Sequence, residues 1–175
     1  MGYKKSLHIQ VTTDKHEKMV EVASEIAELL GKDIYIKIPV NEEGLKAIQT
    51  LKKEDFKVTA TAIYTKALGT FAMMAGADYI APYYNRMENS NIDPILVISH
   101  LSKLIKGNNL KTKILAASFK NIGQVMNTYE VSAQCATVSQ KLLKEAEMPS
   151  IEAAVQKFRK DWEEVYGKET TVLDI

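Results

Sequence analysis

Along this chain, short apolar runs alternating with a period of two keep giving way to longer stretches whose apolar residues recur every three or four positions. The first pattern is that of strands and the second that of amphipathic helices. Strands are predicted over 7–12, 33–38, 57–61, 78–82, 113–117 and 134–138, the sixth being the weakest. Between the first two, Met19, Val22, Ala23, Ile26 and Leu30 form a helical stripe. Asp14-Lys15-His16-Glu17 reads as its capping box and Gly31 as its stop. Asn41 caps the next helix, with Glu42 and Glu43 in its first turn and Leu45, Ile48 and Leu51 on its apolar side. A third helix passes through Leu68, Phe71 and Met74 to Gly76, with Met73 and Met74 read as core filler. A polar loop through Arg86 and Asn89 leads to Asp93-Pro94, an N-cap followed by proline. The helix it opens runs through Ile98, Leu101 and Ile105 to Gly107. Another helix begins near Asn121. The last begins near Ser150 and carries Ile151, Ala154, Val155, Phe158, Trp162 and Val165 on one face.

Strands and helices in alternation predict a parallel sheet with right-handed crossovers, either doubly wound or of the (β/α) barrel type. Neither glycine-rich phosphate fingerprint occurs, which argues against a nucleotide-binding open sheet. In a barrel, reactive groups gather at the C-terminal ends of several strands. Gln10, Lys37, Thr61, Tyr83, Arg86 and Ser118 all fall there, so the barrel is the expected fold. No linker divides the chain: residues 1–175 are expected to form one domain, with 150–166 as a C-terminal packing helix.

Composition narrows the function. With 23 basic and 22 acidic side chains, no global field recruits nucleic acid or an anionic membrane surface. The lone Cys135 suits a reducing compartment, and no apolar stretch approaches bilayer length. Met1-Gly2-Tyr3-Lys4-Lys5 lacks an apolar signal core, so a cytoplasmic protein is expected. His8, His16 and His100 have no metal-ligand spacing, and nothing beside Cys135 marks it as a nucleophile. Lys103, Lys106, Lys111 and Lys113 read as a solvated face.

Lys37 is the residue out of place. Ile34, Ile36 and Ile38 share one face of its strand, and Tyr35 and Lys37 share the other. Burial there strips water from an ammonium and favours the neutral amine, the form that attacks a carbonyl. The run by itself leaves two readings open: a Schiff-base lysine, or a lysine whose stem packs while its head reaches solvent. Gln10, Tyr83, Arg86 and Ser118 likewise each have an ordinary reading, as a strand polar group, a packing aromatic, an ion-pair partner and a helix cap.

Taken in order, the blocks Ile36-Lys37-Ile38-Pro39-Val40, Glu43-Gly44-Leu45-Lys46-Ala47-Ile48 and Thr59-Ala60-Thr61-Ala62-Ile63-Tyr64 resemble the fructose-6-phosphate aldolase and small transaldolase family. So do Gly76-Ala77-Asp78-Tyr79-Ile80-Ala81-Pro82-Tyr83-Tyr84-Asn85-Arg86 and Leu115-Ala116-Ala117-Ser118-Phe119-Lys120. The resemblance implies a class I aldolase in which Lys37 forms an imine with a ketone donor. No metal or cofactor is then needed, because the iminium takes the place of a Lewis acid. It further implies that Tyr83 serves proton transfer, that Gln10 positions a water, and that the Thr61 hydroxyl lies near the imine. Arg86 and Ser118 match the phosphate-binding positions. The partners implied are a sugar phosphate, dihydroxyacetone or glyceraldehyde 3-phosphate, and further copies of the chain in a homo-oligomer reached by the C-terminal helix. Gln10 with Tyr83 favours aldol cleavage and addition, and the alternative is transfer of dihydroxyacetone between sugar phosphates.

Three departures from the family are visible, and the first sets the expectation for the fold. Family members carry two further βα units before the strand at 7–12, so about six of eight units of a TIM-type barrel are expected here. Leu68 also replaces a polar position, and the sixth unit lacks glycines near Ser132 and Ser139. A non-catalytic truncated relic that binds sugar phosphate, or only assembles, is the reading of another class.

Overall fold

Six parallel strands stand side by side in chain order in the computed structural model, which describes residues 6–146 and 149–174. They are β1 (His8–Gln10), β2 (Tyr35–Pro39), β3 (Lys57–Ile63), β4 (Tyr79–Pro82), β5 (Lys113–Ala116) and β6 (Cys135–Ala136). Each pairs in parallel with the next, so the crossovers are made by α1 (His16–Leu30), α2 (Glu42–Lys53), α3 (Lys66–Met74), α4 (Tyr84–Asn89), α5 (Pro94–Gly107) and α6 (Ile122–Glu130). This is an incomplete TIM-type barrel with six of the eight strands. Residues 1–5, read above for a signal core, lie outside the described residues. No helix among the described residues is long and apolar enough to cross a membrane.

Alternation along the strands sorts the side chains between two faces. Ile36, Ile38, Val58, Ala60, Ile80, Ile114 and Ala116 are buried in the core cluster, which also holds Ile48 and Leu51 of α2, Met87 of α4, and Ile98 and Leu101 of α5. Gln10, Lys37, Thr59 and Tyr79 take the opposite, lumenal face in register with one another. The predicted strands are all present, though β1, β5 and β6 end sooner than the apolar runs do, while β2 and β3 run further. Beyond Gln10, for example, Val11 still donates to the Lys37 carbonyl, but the chain then turns toward α1.

Several local expectations need correction. Asp14 does not cap α1: the N-cap is Lys15, whose side chain makes no cap hydrogen bond. The His16 amide is satisfied instead by Glu43 Oε2 of α2 at 3.1 Å, a tertiary partner that replaces the local one. Leu30 is exposed, and Ala27 takes its expected place in the buried stripe. Helix α3 turns Gly69, Ala72 and Met73 inward and leaves Phe71 and Met74 in solvent. The cause is close packing on α5, since a Cβ at Gly69 would stand 2.6 Å from the Leu101 methyls. The segment through Arg86 and Asn89, expected as loop, is helix α4. Asn41 and Asp93 cap α2 and α5 through their side chains as expected, and Asn121 caps α6 in the same way.

Residues 139–175 form a second compact unit, distinct from residues 1–138. It holds α7 (Gln140–Ala146), which the periodicity did not reveal, the 18-residue α8 (Pro149–Tyr166) and a 3₁₀ turn (Val172–Asp174). Ile151, Val155, Phe158 and Val165 of α8 are exposed. Trp162 is not: its indole N–H donates to the Thr170 carbonyl at 2.9 Å and its ring packs on Tyr166. The tail therefore folds back onto the helix that carries it.

Candidate active site

Lys37 projects from the lumenal face of β2, half-buried, into a cavity of about 370 Å³. Ser6, His8, Tyr79, Leu115, Cys135 and Thr137 line the same cavity. Among the described residues, the Lys37 ammonium has no hydrogen-bond or ion-pair partner. Gln10 lies directly opposite Lys37 in the β1–β2 register, and Thr59 opposite it on β3. The Gln10 amide donates to the backbone carbonyls of Val11 and Lys37, at 2.9 and 3.1 Å, which anchors its side chain beside the lysine.

An irregularity in β3 shapes the neighbouring region. Ala60 pairs with Ile80 but Ile63 with Pro82, so β3 spends one more residue than β4 over this interval. Ala62 takes a left-handed φ of 59° there, a conformation that costs roughly 1–3 kcal/mol in a residue with a side chain. The extra residue resets the alternation, so Ile63 returns to the core and Tyr64 falls on the site's side. Thr61, only 1% exposed, places its hydroxyl 3.0 Å from the Tyr83 hydroxyl. The Arg86 guanidinium sits 5.0 Å over the Tyr83 ring and donates to the Tyr64 hydroxyl at 3.2 Å. Thr61, Tyr83, Tyr64 and Arg86 thus form one continuous cluster, with Arg86 exposed at its outer end.

Ser118 follows β5 with a left-handed φ of 65°. Its carbonyl accepts from the Asn85 amide at 2.9 Å, which brings the strand end against α4. Among the described residues no hydrogen bond joins the Ser118 and Arg86 side chains, and the two segments are tied through Gln124. That buried side chain accepts from the Lys120 amide at 2.7 Å and donates to Asn85 and to Glu88. A charge-neutral amide suits this place, because it serves as donor and acceptor together.

His8, Tyr64 and Gln124 were not singled out by residue type and spacing. His8 stands in the sequence only as one of three histidines without metal-ligand spacing, Tyr64 lies inside a motif already quoted, and Gln124 carries no signal at all. His8 is bonded through Nδ1 to the buried Thr59 hydroxyl at 2.8 Å, stacks on Tyr35 at 4.5 Å and meets the Tyr79 ring edge-on at 5.3 Å. Burial, and then the charge of Lys37, hold its imidazole below the ordinary histidine range. Burial also pushes the Tyr79 phenol up, with Cys135 adding to the effect. Apart from this pocket, His16, Glu17 and Glu43 bring potential ligand atoms within 4.8 Å of one another. Glu43 there already accepts from the His16 amide and from Lys46.

Comparison with known proteins identifies the family. The model of the transaldolase/fructose-6-phosphate aldolase family matches residues 1–169. A probable fructose-6-phosphate aldolase of Streptococcus pneumoniae is 48% identical over 163 residues, covering 93% of this chain and 73% of that protein. A half-barrel with a lysine on the lumenal face of its second strand, matched to that family over nearly its whole length, belongs to the transaldolase/fructose-6-phosphate aldolase family of enzymes.

Proposed function

We propose that this chain is a Schiff-base class I aldolase that cleaves or forms the C3–C4 bond of a ketose phosphate through a lysine imine of dihydroxyacetone. The observation that carries the reading is the setting of Lys37: lumenal, half-buried, without a charge partner among the described residues, and open to a cavity of about 370 Å³. The Lys37 amine adds to the ketone carbon, and loss of water leaves a protonated imine. The iminium withdraws electrons from the adjacent carbon. The C4 hydroxyl gives up its proton, the C3–C4 electron pair moves into the iminium as an enamine, and the aldehyde departs. Protonation at C3 and hydrolysis of the imine release dihydroxyacetone and restore the amine.

Tyr83 is the proton-transfer residue of this scheme, with its hydroxyl oriented by Thr61 at 3.0 Å. Gln10, fixed to the backbone carbonyl of Lys37, positions a water beside the imine. Arg86 and the strand-end Ser118 receive the substrate phosphate, Arg86 as a planar fork of donors. Ile151, Val155, Phe158 and Val165, exposed on α8, support a homo-oligomer as the working form.

Borohydride reduction in the presence of dihydroxyacetone or fructose 6-phosphate tests the reading. Mass spectrometry is expected to find one adduct, on Lys37. An adduct on another lysine, or one that persists in Lys37→Met, rejects it. Turnover assays then separate aldol cleavage from transfer of dihydroxyacetone to a second sugar phosphate.

A further inference from the structure

Imine formation moves protons before any carbon–carbon bond is touched. A lysine ammonium must lose a proton before its nitrogen can attack, and the carbinolamine hydroxyl must gain one before it leaves as water. Tyr83 and Thr61 stand one layer further along the barrel than Lys37, because Thr61 pairs with Pro39 and not with the lysine. A group on the other side of Lys37 is better placed for the first of these transfers.

His8 occupies that side. It is opposite Tyr35 in the register, so it lies diagonally one layer below Lys37, and both line the same cavity. A diagonal pair on neighbouring strands is roughly 8 Å apart at the backbone, within reach of a long side chain and a ring. Nδ1 is committed to the fully buried Thr59 hydroxyl at 2.8 Å. Among the described residues Nε2 is bonded only to Ser6, an exposed hydroxyl 3.0 Å away, and is the nitrogen open to exchange. The ring cannot swing, since Tyr35 stacks on it and Tyr79 closes its edge.

We propose that His8 is the proton acceptor for imine formation at Lys37, a role that rests on reading Lys37 as the imine-forming residue. In this step Lys37 passes a proton to His8, directly or through one water, and the freed amine adds to the carbonyl. The imidazolium returns the proton to the carbinolamine hydroxyl, which departs as water, and the positive charge is left on the iminium. One charge enters the step and one remains, so the cavity is never asked to hold two. Among the described residues, the other titratable groups facing His8 are Tyr35 on β2, Lys57 over the Tyr35 ring and itself paired with Asp33 at 2.6 Å, Tyr79 on β4 and Cys135 on β6. None of those against the ring or in its cavity is a carboxylate that would retain the proton on His8. The neighbouring ammonium and burial both favour the neutral imidazole, the form that accepts.

Two measurements test this. The first is an NMR titration of the His8 ring, which needs no substrate: its midpoint is expected to rise when Lys37→Met removes the adjacent charge. An unchanged midpoint overturns the coupling. The second is the rate of borohydride-trapped adduct formation with dihydroxyacetone in His8→Phe, which keeps the ring stack on Tyr35. The rate is expected to fall by on the order of 10²-fold there and in His8→Ala, and in His8→Ala, whose ring site is vacated, to recover in part when free imidazole is added. Adduct formation at the wild-type rate in His8→Phe, or a slow rate in His8→Ala that imidazole does not raise, overturns this role alone. A wild-type chain that forms no adduct at all overturns the imine reading and this role with it.

Discussion

The Thr61 and Tyr83 hydroxyls are 3.0 Å apart, although one belongs to β3 and the other to the residue that precedes α4. The bulge at Ala62 makes the pairing possible, since it displaces the end of β3 relative to β4. Tyr83→Phe removes the proton donor and leaves the buried Thr61 hydroxyl without its partner. The variant is expected to lose about 1–3 kcal/mol of stability in denaturant titration. It is also expected to lose aldol cleavage more steeply than dihydroxyacetone transfer. Equal loss of both activities would make Tyr83 a structural residue.

Gln124 braces the segments that hold Arg86 and Ser118 through its bonds to Lys120, Asn85 and Glu88. Gln124→Leu keeps much of the volume and removes every one of these bonds. The expected result is a KM for phosphorylated substrates raised about tenfold, equivalent to about 1.4 kcal/mol, with unphosphorylated substrates unchanged. Steady-state kinetics on the two substrate classes decide it, and a uniform loss on both would show that the brace serves folding only.

Gly44 lies where α2 approaches the end of β2, and a Cβ there would stand 1.8 Å from the Pro39 carbonyl oxygen. A backbone atom cannot rotate out of the way as a side chain does. Gly44→Ala is therefore expected to cost about 3 kcal/mol or more, at the upper end of overpacking effects. Gly31→Ala serves as a control of another kind, because its added Cβ meets nothing within 4 Å and its cost comes only from the φ of 84°. Thermal melting of the two variants checks the contrast.

Ile151, Val155, Phe158 and Val165 are exposed on α8. Burying each is worth roughly 1.5–3 kcal/mol, enough to drive association. Light scattering at micromolar concentration is expected to report an oligomer that Phe158→Glu weakens. A monomer of unchanged mass in both proteins would reject this use of the helix.

The order of the strands, the parallel sheet and the caps at Asn41 and Asp93 were legible in the chain, because periodicity and capping are local physics. The motif around Lys37 was equally legible, since strand alternation alone puts the lysine on the face opposite Ile36 and Ile38. What tertiary structure decided is everything that depends on a partner distant in sequence. Helix α1 starts without the Asp14 cap because Glu43, 27 residues away, takes the His16 amide. The inward face of α3 follows Gly69 because Leu101 needs the space, which leaves the larger Phe71 and Met74 outside. His8 and Gln124 escaped notice for the same reason. Imidazoles and amides are ordinary in a sequence, and their partners here lie 51 residues away in Thr59 and 39 residues away in Asn85. Side-chain period is a property of the backbone, whereas hydrogen-bond partnership and close approach are properties of the packed fold.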